Sequence, residues 1–472
     1  MRTSKACRMR SVSLIASVLA LASSASIASD APALEVFKKW LSAYNSGSEA
    51  RIASFWEQYG NQQPDDRVAL DIRRHSATGD MTLVRVAQKS PKHMVAILKE
   101  GRGAFSESTV DLVSASPPAV ARIVGHPIPS PATLPPQATS DADLARNVRK
   151  FVATTKGANA FSGVIFIAHH DQVVLNQAWG FADSERRIPN SVDTQFGLAS
   201  MNKMFTAISV LQLANQGKLH LDDFVIKYLP DYPNQELAKT VTVRELLSHT
   251  GGTGDYLTPE FTTHKSEMRT LSDYVHLFGS RPGRFKPGTR FEYSNYGYIL
   301  LGRVVEVVSA QTYDQYVRDH ILNIAGMRHT GPIPDGHRSV AIGYSRTRNG
   351  LQPTEDMFHL PASSGGGWYS DAHDLYRFAA ALRSGTLLSP SLLNQALTWT
   401  SIHPAYGLGF FLLPGLGYGH SGSSPGCSTE LHILPDQYVV IVLANRDPPM
   451  ATDMNDVIAA ILPRGANRVT IE

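Results

Sequence analysis

The stretch that most narrows the possible folds is Lys203 to Gly217, KMFTAISVLQLANQG. Phe205, Ile208, Leu211 and Ala214 recur on one helical face, Met204, Ala207, Val210 and Leu213 on another, and Gly217 stops the run. A helix apolar nearly all round has no side to give to water, so other elements must cover it. The chain can supply that cover, with 472 residues, 43% hydrophobic and 18% charged, enough for at least two domains. At the head of the helix Ser200 and Lys203 stand three residues apart, on one face. A lysine desolvated there has its pKa lowered from about 10.4 toward neutrality, which activates a neighbouring serine without histidine. Alone, S-x-x-K is expected about once by chance in such a chain, and a capping serine beside a solvated lysine is its bland reading.

The N-terminus reads as a leader. Arg2, Lys5, Arg8 and Arg10 precede an apolar run from Val12 to Ala22 and a small-residue exit at Ser26-Ile27-Ala28, which predicts a signal peptide over 1–28. The run is too short for a bilayer span, so no transmembrane anchor is expected after its removal. Those four cations are accompanied by no Asp or Glu, so their loss takes the formal net charge from +3 to −1. No basic excess remains to favour nucleic acid. Cys7 leaves with the leader; Cys427 is then alone, excluding an intrachain disulfide, and is expected to be buried before a core strand.

Residues 30–125 predict a small α+β accessory domain. Leu34, Phe37, Leu41 and Tyr44, then Ile52, Phe55, Trp56 and Tyr59, recur at helical spacing, and apolar runs follow at 81–87, 93–98, 109–113 and 119–124. This reads as two helices and an antiparallel sheet, with Trp40, Phe55 and Trp56 as core. The Ala43 to Ser48 turn, AYNSGS, resembles NTF2-like domains. Five prolines between Pro127 and Pro136 mark a semi-rigid linker over 126–139. Residues 140–465 form the second domain. Ser140 caps its first helix, His169-His170-Asp171 turns a hairpin, Thr242 and Glu245 make a capping box, and Tyr298 to Val308 is a further helix. Ala372 to Leu382, capped by Ser370, is another. Strands at 407–413, 430–434 and 438–444 and a helix over 453–462 complete it. Strands at both ends of the segment with helices between predict an α+β fold, one antiparallel sheet flanked by helices plus an all-helical insertion.

Two further motifs accompany Ser200 and Lys203. Phe291-Glu-Tyr-Ser-Asn295 places Tyr293 and Asn295 two apart, on one side of an extended segment, where a tyrosine carries a proton and an amide holds a substrate carbonyl or the lysine. Its bland reading is aromatic core. Gly419-His420-Ser-Gly422-Ser423 enters a strand able to offer an N–H to an oxyanion; its bland reading is a tight turn before an edge strand. Together S-x-x-K, Y-x-N and H-x-G resemble the penicillin-recognising serine hydrolases, specifically the branch of class C β-lactamases, D-alanyl-D-alanine carboxypeptidases and β-lactamase-like esterases. Leu246-Leu-Ser-His-Thr-Gly251 and Gly365-Gly-Gly-Trp-Tyr-Ser-Asp371 are similar to that family as well.

The resemblance implies a β-lactamase/transpeptidase-like fold and acyl transfer through Ser200. Lys203 or Tyr293 would be the base, Tyr293 the proton carrier with its pKa lowered by the lysine cation, and Asn295 the positioner of the acyl side chain. Gly422 and His420 would shape the substrate site, and the N–H groups of Ser200 and Ser423 the oxyanion hole. It further implies a bacterial periplasmic or secreted enzyme acting on a small molecule or peptide, with no cofactor and no metal. His420 departs from the lysine of β-lactamases; largely neutral at pH 7, it favours neutral esters or amides over β-lactams and C-terminal carboxylates. A true β-lactamase or carboxypeptidase, and a catalytically silent cell-wall binding protein, are the alternatives. The G-x-S-x-G at Gly422–Gly426 is rejected as a nucleophile elbow because Pro425 has no N–H and a strand follows.

Overall fold

A computed structural model describes residues 31–463 except 61–64, 102–104, 129–133, 158–159, 333–339, 348–349, 355–362, 399–401, 403–404, 414–416 and 435. The leader over 1–28, Cys7 and part of the 126–139 stretch lie outside the described residues. The chain divides into two units, Met1–His126 and Pro127–Glu472. In the first, helices α1 (Pro32–Asn45), α2 (Glu49–Tyr59) and α3 (Asp65–Thr78) precede strands β1 (Met81–Lys89), β2 (His93–Glu100), β3 (Phe105–Ala115) and β4 (Pro118–Ile128), which form one sheet in that order. Three helices stand where two were expected. α3 was missed because its DDRVALDIRRHSAT sequence shows no clean apolar stripe; part of its inward face is a carboxylate. Buried Asp71 accepts from Trp40 Nε1 at 3.0 Å and Trp56 Nε1 at 2.9 Å, so these tryptophans, with Phe55, are core.

The second unit opens with α4 (Asp141–Thr154), whose cap Ser140 accepts from the Asp143 N–H. The hairpin β5 (Gly163–His169) and β6 (Gln172–Trp179) follows, and His170 and Asp171 turn it with left-handed φ of 46° and 62°, as a two-residue loop requires. Helices α5 (Lys203–Asn215), α6 (Val243–Leu247), α7 (Leu271–Phe278), α8 (Asn295–Ser309) and α9 (Ala372–Arg383) come next. Then follow β7 (Phe411–Leu413), β8 (Gly417–Ser424), β9 (Cys427–Ile433), β10 (Tyr438–Ala444) and α10 (Met450–Ile461). The sheet runs β7-β8-β9-β10-β5-β6, antiparallel throughout. Its first and last strands in sequence, β5 and β10, are neighbours, within the one antiparallel sheet that the α+β reading expected.

Both faces of this sheet are covered. Val164, Phe166, Val439 and Ile441 join the core built on α5, while Ile165, Ile167, Val440 and Val442 pack with α4 and α10. That is why β5 and β10 read as continuous apolar runs rather than alternating ones. α5 is buried from Lys203 through Leu211 and at Leu213. Three local readings change. Asp371 rather than Ser370 caps α9, accepting from the Asp374 N–H at 2.8 Å, because Ser370 pairs with Phe196 in a two-residue bridge. The strand expected over 407–413 shortens to Phe411–Leu413, since Gly407 N–H closes a turn onto Phe410 O. α8 begins at Asn295, capped by Ser294.

Candidate active site

Ser200 lies in a 3₁₀ turn, Ala199–Asn202, that runs directly into α5. In that geometry side chains three apart eclipse, so Ser200 and Lys203 face each other. Ala199 holds a left-handed φ of 45°, which costs about 1–2 kcal/mol for an L-residue. Neighbouring backbone enforces it: Leu198 N–H donates to Trp368 O at 2.7 Å and Met201 N–H to Leu198 O at 3.1 Å. Two glycines let other segments close on this turn. A Cβ on Gly366 would lie 3.1 Å from Ala199 O, and one on Gly422 only 2.0 Å from Leu198 O. The glycine-rich motifs are therefore sites of backbone approach to the Ser200 turn.

Lys203 is fully buried. Its Nζ lies 3.0 Å from Ser200 Oγ, 2.7 Å from Asn295 Oδ1 and 2.6 Å from Gly365 O, and 4.9 Å and 5.4 Å from the ring centres of Tyr293 and Tyr298. Burial pushes its pKa down to about 7, against a partial upward pull from Asp255. Two of the three partners are carbonyl oxygens, which only accept. When Lys203 is neutral its two N–H bonds are committed to Asn295 and Gly365, and its lone pair is left facing Ser200 Oγ. The arrangement can take a proton from that hydroxyl.

The Tyr293 phenol lies beside Ser200, whose hydroxyl pulls its pKa down, yet burial pushes it well above its ordinary value. The expected lowering by the lysine cation does not hold, because burial dominates. Tyr293 is thus placed as a proton donor. Asn295 sits in the first turn of α8 rather than in an extended segment; its Oδ1 faces Lys203 while its N–H and Nδ2 donate to Asp255 Oδ2 at 3.1 Å and 2.8 Å. His420 is buried, its Nδ1 donating to Ser421 O at 2.6 Å and its Nε2 accepting from Tyr406 at 3.0 Å. Burial, then the Lys203 charge, pushes its pKa down to about 3, so the imidazole is neutral, in line with the sequence reading.

The backbone of β8 supplies the remaining feature. Pro425-Gly426 is a two-residue turn joining Ser424 to Cys427, which makes that pair the hydrogen-bonded one and, by alternation, directs the Ser423 N–H away from β9. β7 pairs only with Gly417–Gly419, so the outer edge at Ser423 has no strand beside it among the described residues. Strand β9 after the turn agrees with rejecting the nucleophile elbow. Cys427 is buried, its Sγ donating to Gly197 O at 2.9 Å.

Sequence reasoning missed Asp255, the Gly365 carbonyl and Tyr406. Asp255 sits in the unpatterned Gly251 to Glu267 loop, where its one signal is a carboxylate between Gly254 and Tyr256. One His/Asp group among the described residues has metal-ligand proximity: His329, Asp371 and Asp374, their ligand atoms within 4.8 Å. It does not fit a metal centre. Asp371 accepts from His329 Nδ1 and the Asp374 N–H, and Asp374 from Arg377, Thr330 and the His329 N–H. All four carboxylate oxygens thus serve as caps and ties of α9.

Comparison with known proteins agrees with this geometry. A family profile described as Beta-lactamase matches residues 144–462. A penicillin binding protein from Bacillus halodurans is 31% identical, with 67% of this chain and 98% of that one covered at a TM-score of 0.58. A D-stereospecific amidohydrolase from Streptomyces sp. is 27% identical, with 66% and 96% covered at a TM-score of 0.55. Protein flp from Staphylococcus aureus (strain MW2) is 30% identical over 296 residues, 60% of this chain and 59% of that protein; the chain thus matches about three fifths of that curated relative's length. Among the described residues no helix is long and apolar enough to cross a membrane. With the profile running from α4 to the end of α10, across the whole sheet and the Ser200 helix, the chain belongs to the Beta-lactamase family, a family of serine hydrolases of β-lactamase/transpeptidase-like fold.

Proposed function

We propose that this chain is an exported bacterial hydrolase that cleaves neutral esters or amides through an acyl-enzyme on Ser200. The observation that carries the reading is the commitment of both N–H bonds of neutral Lys203 to carbonyl oxygens, with Ser200 Oγ on its remaining side. Ser200 Oγ attacks the substrate carbonyl as its proton passes to Lys203 Nζ. The Ser200 and Ser423 N–H groups receive the oxyanion, a term worth about 3–4 kcal/mol per donor elsewhere. Tyr293 gives its phenolic proton to the leaving group and is reprotonated by Lys203. Water then enters by the reverse of these transfers and releases the acid. Asn295 orients Lys203 in this scheme.

The substrate class follows from His420. A neutral imidazole with both ring nitrogens engaged offers no cation to a substrate carboxylate, so neutral acyl compounds are preferred to penicillins or peptide C-termini. The names of the penicillin-binding and D-stereospecific amidohydrolase relatives bracket both choices. The first unit is read as an NTF2-like accessory without chemistry, and the 1–28 leader as the export signal. The test is steady-state turnover of an activated short-chain ester, an amino-acid amide and a penicillin by wild type and Ser200→Ala. Turnover of the neutral substrates, lost in Ser200→Ala, supports the reading. Efficient penicillin turnover instead supports the lactamase alternative, and no turnover of any supports the binding protein.

A further inference from the structure

The Lys203 lone pair faces Ser200 only because Asn295 presents its oxygen, and nothing within Asn295 itself decides that. The decision lies in the loop after α6. Asp255 Oδ1 accepts from the Leu257 N–H at 3.0 Å, which fixes the carboxylate in a local turn. Its other oxygen, Oδ2, accepts from both the N–H and the Nδ2 of Asn295. A carboxylate only accepts, so the amide end beside it must be NH₂ and the end facing Lys203 must be the carbonyl. We infer that Asp255 is a positioning residue: its carboxylate sets which end of the Asn295 amide faces Lys203 and thereby aims the lysine lone pair at Ser200. With the amide reversed, Nδ2 would meet Nζ donor to donor. Lys203 would then turn an N–H toward Ser200 Oγ and could not accept its proton.

Asp255 carries a second lever on the same lysine, its charge. The groups facing Lys203 from the other packed elements are Ser200 and Asn295, the phenols of Tyr293 and Tyr298, the Gly365 carbonyl and His420 on β8. At neutral pH all are uncharged, which leaves Asp255 as the carboxylate pulling Lys203 toward its protonated form. The inference rests on the acyl-enzyme reading above, with Lys203 as base.

The test is Asp255→Asn in the full chain. The Leu257 N–H holds the side-chain oxygen of the near-isosteric amide, so its NH₂ faces Asn295 and the clamp reverses. For an activated neutral ester, kcat/KM at the alkaline plateau is expected to fall about 10- to 100-fold. The acid limb of the profile is expected to move down by about half to one pH unit, because neutral Lys203 persists to lower pH without the carboxylate. A residue that only braced the loop would leave the acid limb in place. Asp255→Ala, losing both contacts, is expected to fall about 100-fold; should it fail to fold, Asp255→Asn decides alone, with its melting temperature compared with wild type. If wild type forms no Ser200 adduct with the ester, the hydrolase reading falls and this inference with it. If wild type is acylated and the Asp255→Asn limb and plateau stay put, the inference alone is wrong.

Discussion

Asp71 in the first unit and Lys203 in the second are both ionisable side chains taken out of water, and both are held by several hydrogen bonds. Asp71 accepts two indole N–H bonds; burial raises its pKa while those donors pull it back. Its partners are themselves core, Trp40 and Trp56 at 1% and 5% exposure, so a proton gained or lost there meets no accessible group. Lys203 is just as buried, but one of its three partners is the partly exposed hydroxyl of Ser200. A perturbed buried group becomes a candidate catalyst only when its charge change is coupled to an atom that a substrate can reach; otherwise it is a core contact.

Substitutions can break this comparison. Ser200→Ala and Lys203→Met should each lower ester turnover by about 10³-fold or more, with Ser200→Ala leaving the melting temperature near wild type. Lys203→Met should separate function from stability. The unfolded lysine has a pKa of about 10.4 and the folded one about 7, so between these values the unfolded state binds more protons and wild-type stability rises with pH. Chemical denaturation at pH 7 and 9 should show that slope in wild type and lose it in Lys203→Met, with the variant about 1–3 kcal/mol more stable at pH 7. A variant less stable than wild type, with an unchanged slope, contradicts a Lys203 whose pKa burial lowers to about 7.

Gly422→Ala should come next, with a loss of about 100-fold in kcat/KM, because its Cβ would lie 2.0 Å from Leu198 O and displace either the Ser200 turn or β8. Unchanged kinetics would mean that the two backbones need not touch. In the first unit the effects fall on stability alone. Asp71→Ala strands two buried indole donors and should cost about 2–3 kcal/mol without changing turnover of the folded fraction. Smallest is Asp71→Asn, which keeps an acceptor and removes the buried charge; it should change stability by less than about 1 kcal/mol, measured by urea denaturation. A large loss there would show that the Asp71 charge itself matters.

The fold was legible where period and burial agree. α5 announced itself by being apolar all round, and β5 and β10 by unbroken apolar runs that only a sheet covered on both faces produces. α3 was hidden because Asp71 replaces an apolar residue on its inward face and indole N–H groups satisfy it, a tertiary arrangement with no local signature. In the site, Ser200, Lys203, Tyr293 and Asn295 were legible as motifs. The direction of the Tyr293 shift was not, since burial, invisible in a motif, outweighs the lysine charge. Asp255 was invisible for another reason: it works through the amide orientation of a residue 40 positions away.

The most direct test of the central claim is intact mass of wild type and Ser200→Ala after brief exposure to an activated neutral ester at pH 8 and pH 5.5, with the modified peptide mapped. An acyl adduct on Ser200 in wild type, forming markedly faster at pH 8 and absent from Ser200→Ala, is the expected result. An adduct that persists in Ser200→Ala, or a wild-type acylation rate equal at the two pH values, would contradict a serine activated by neutral Lys203.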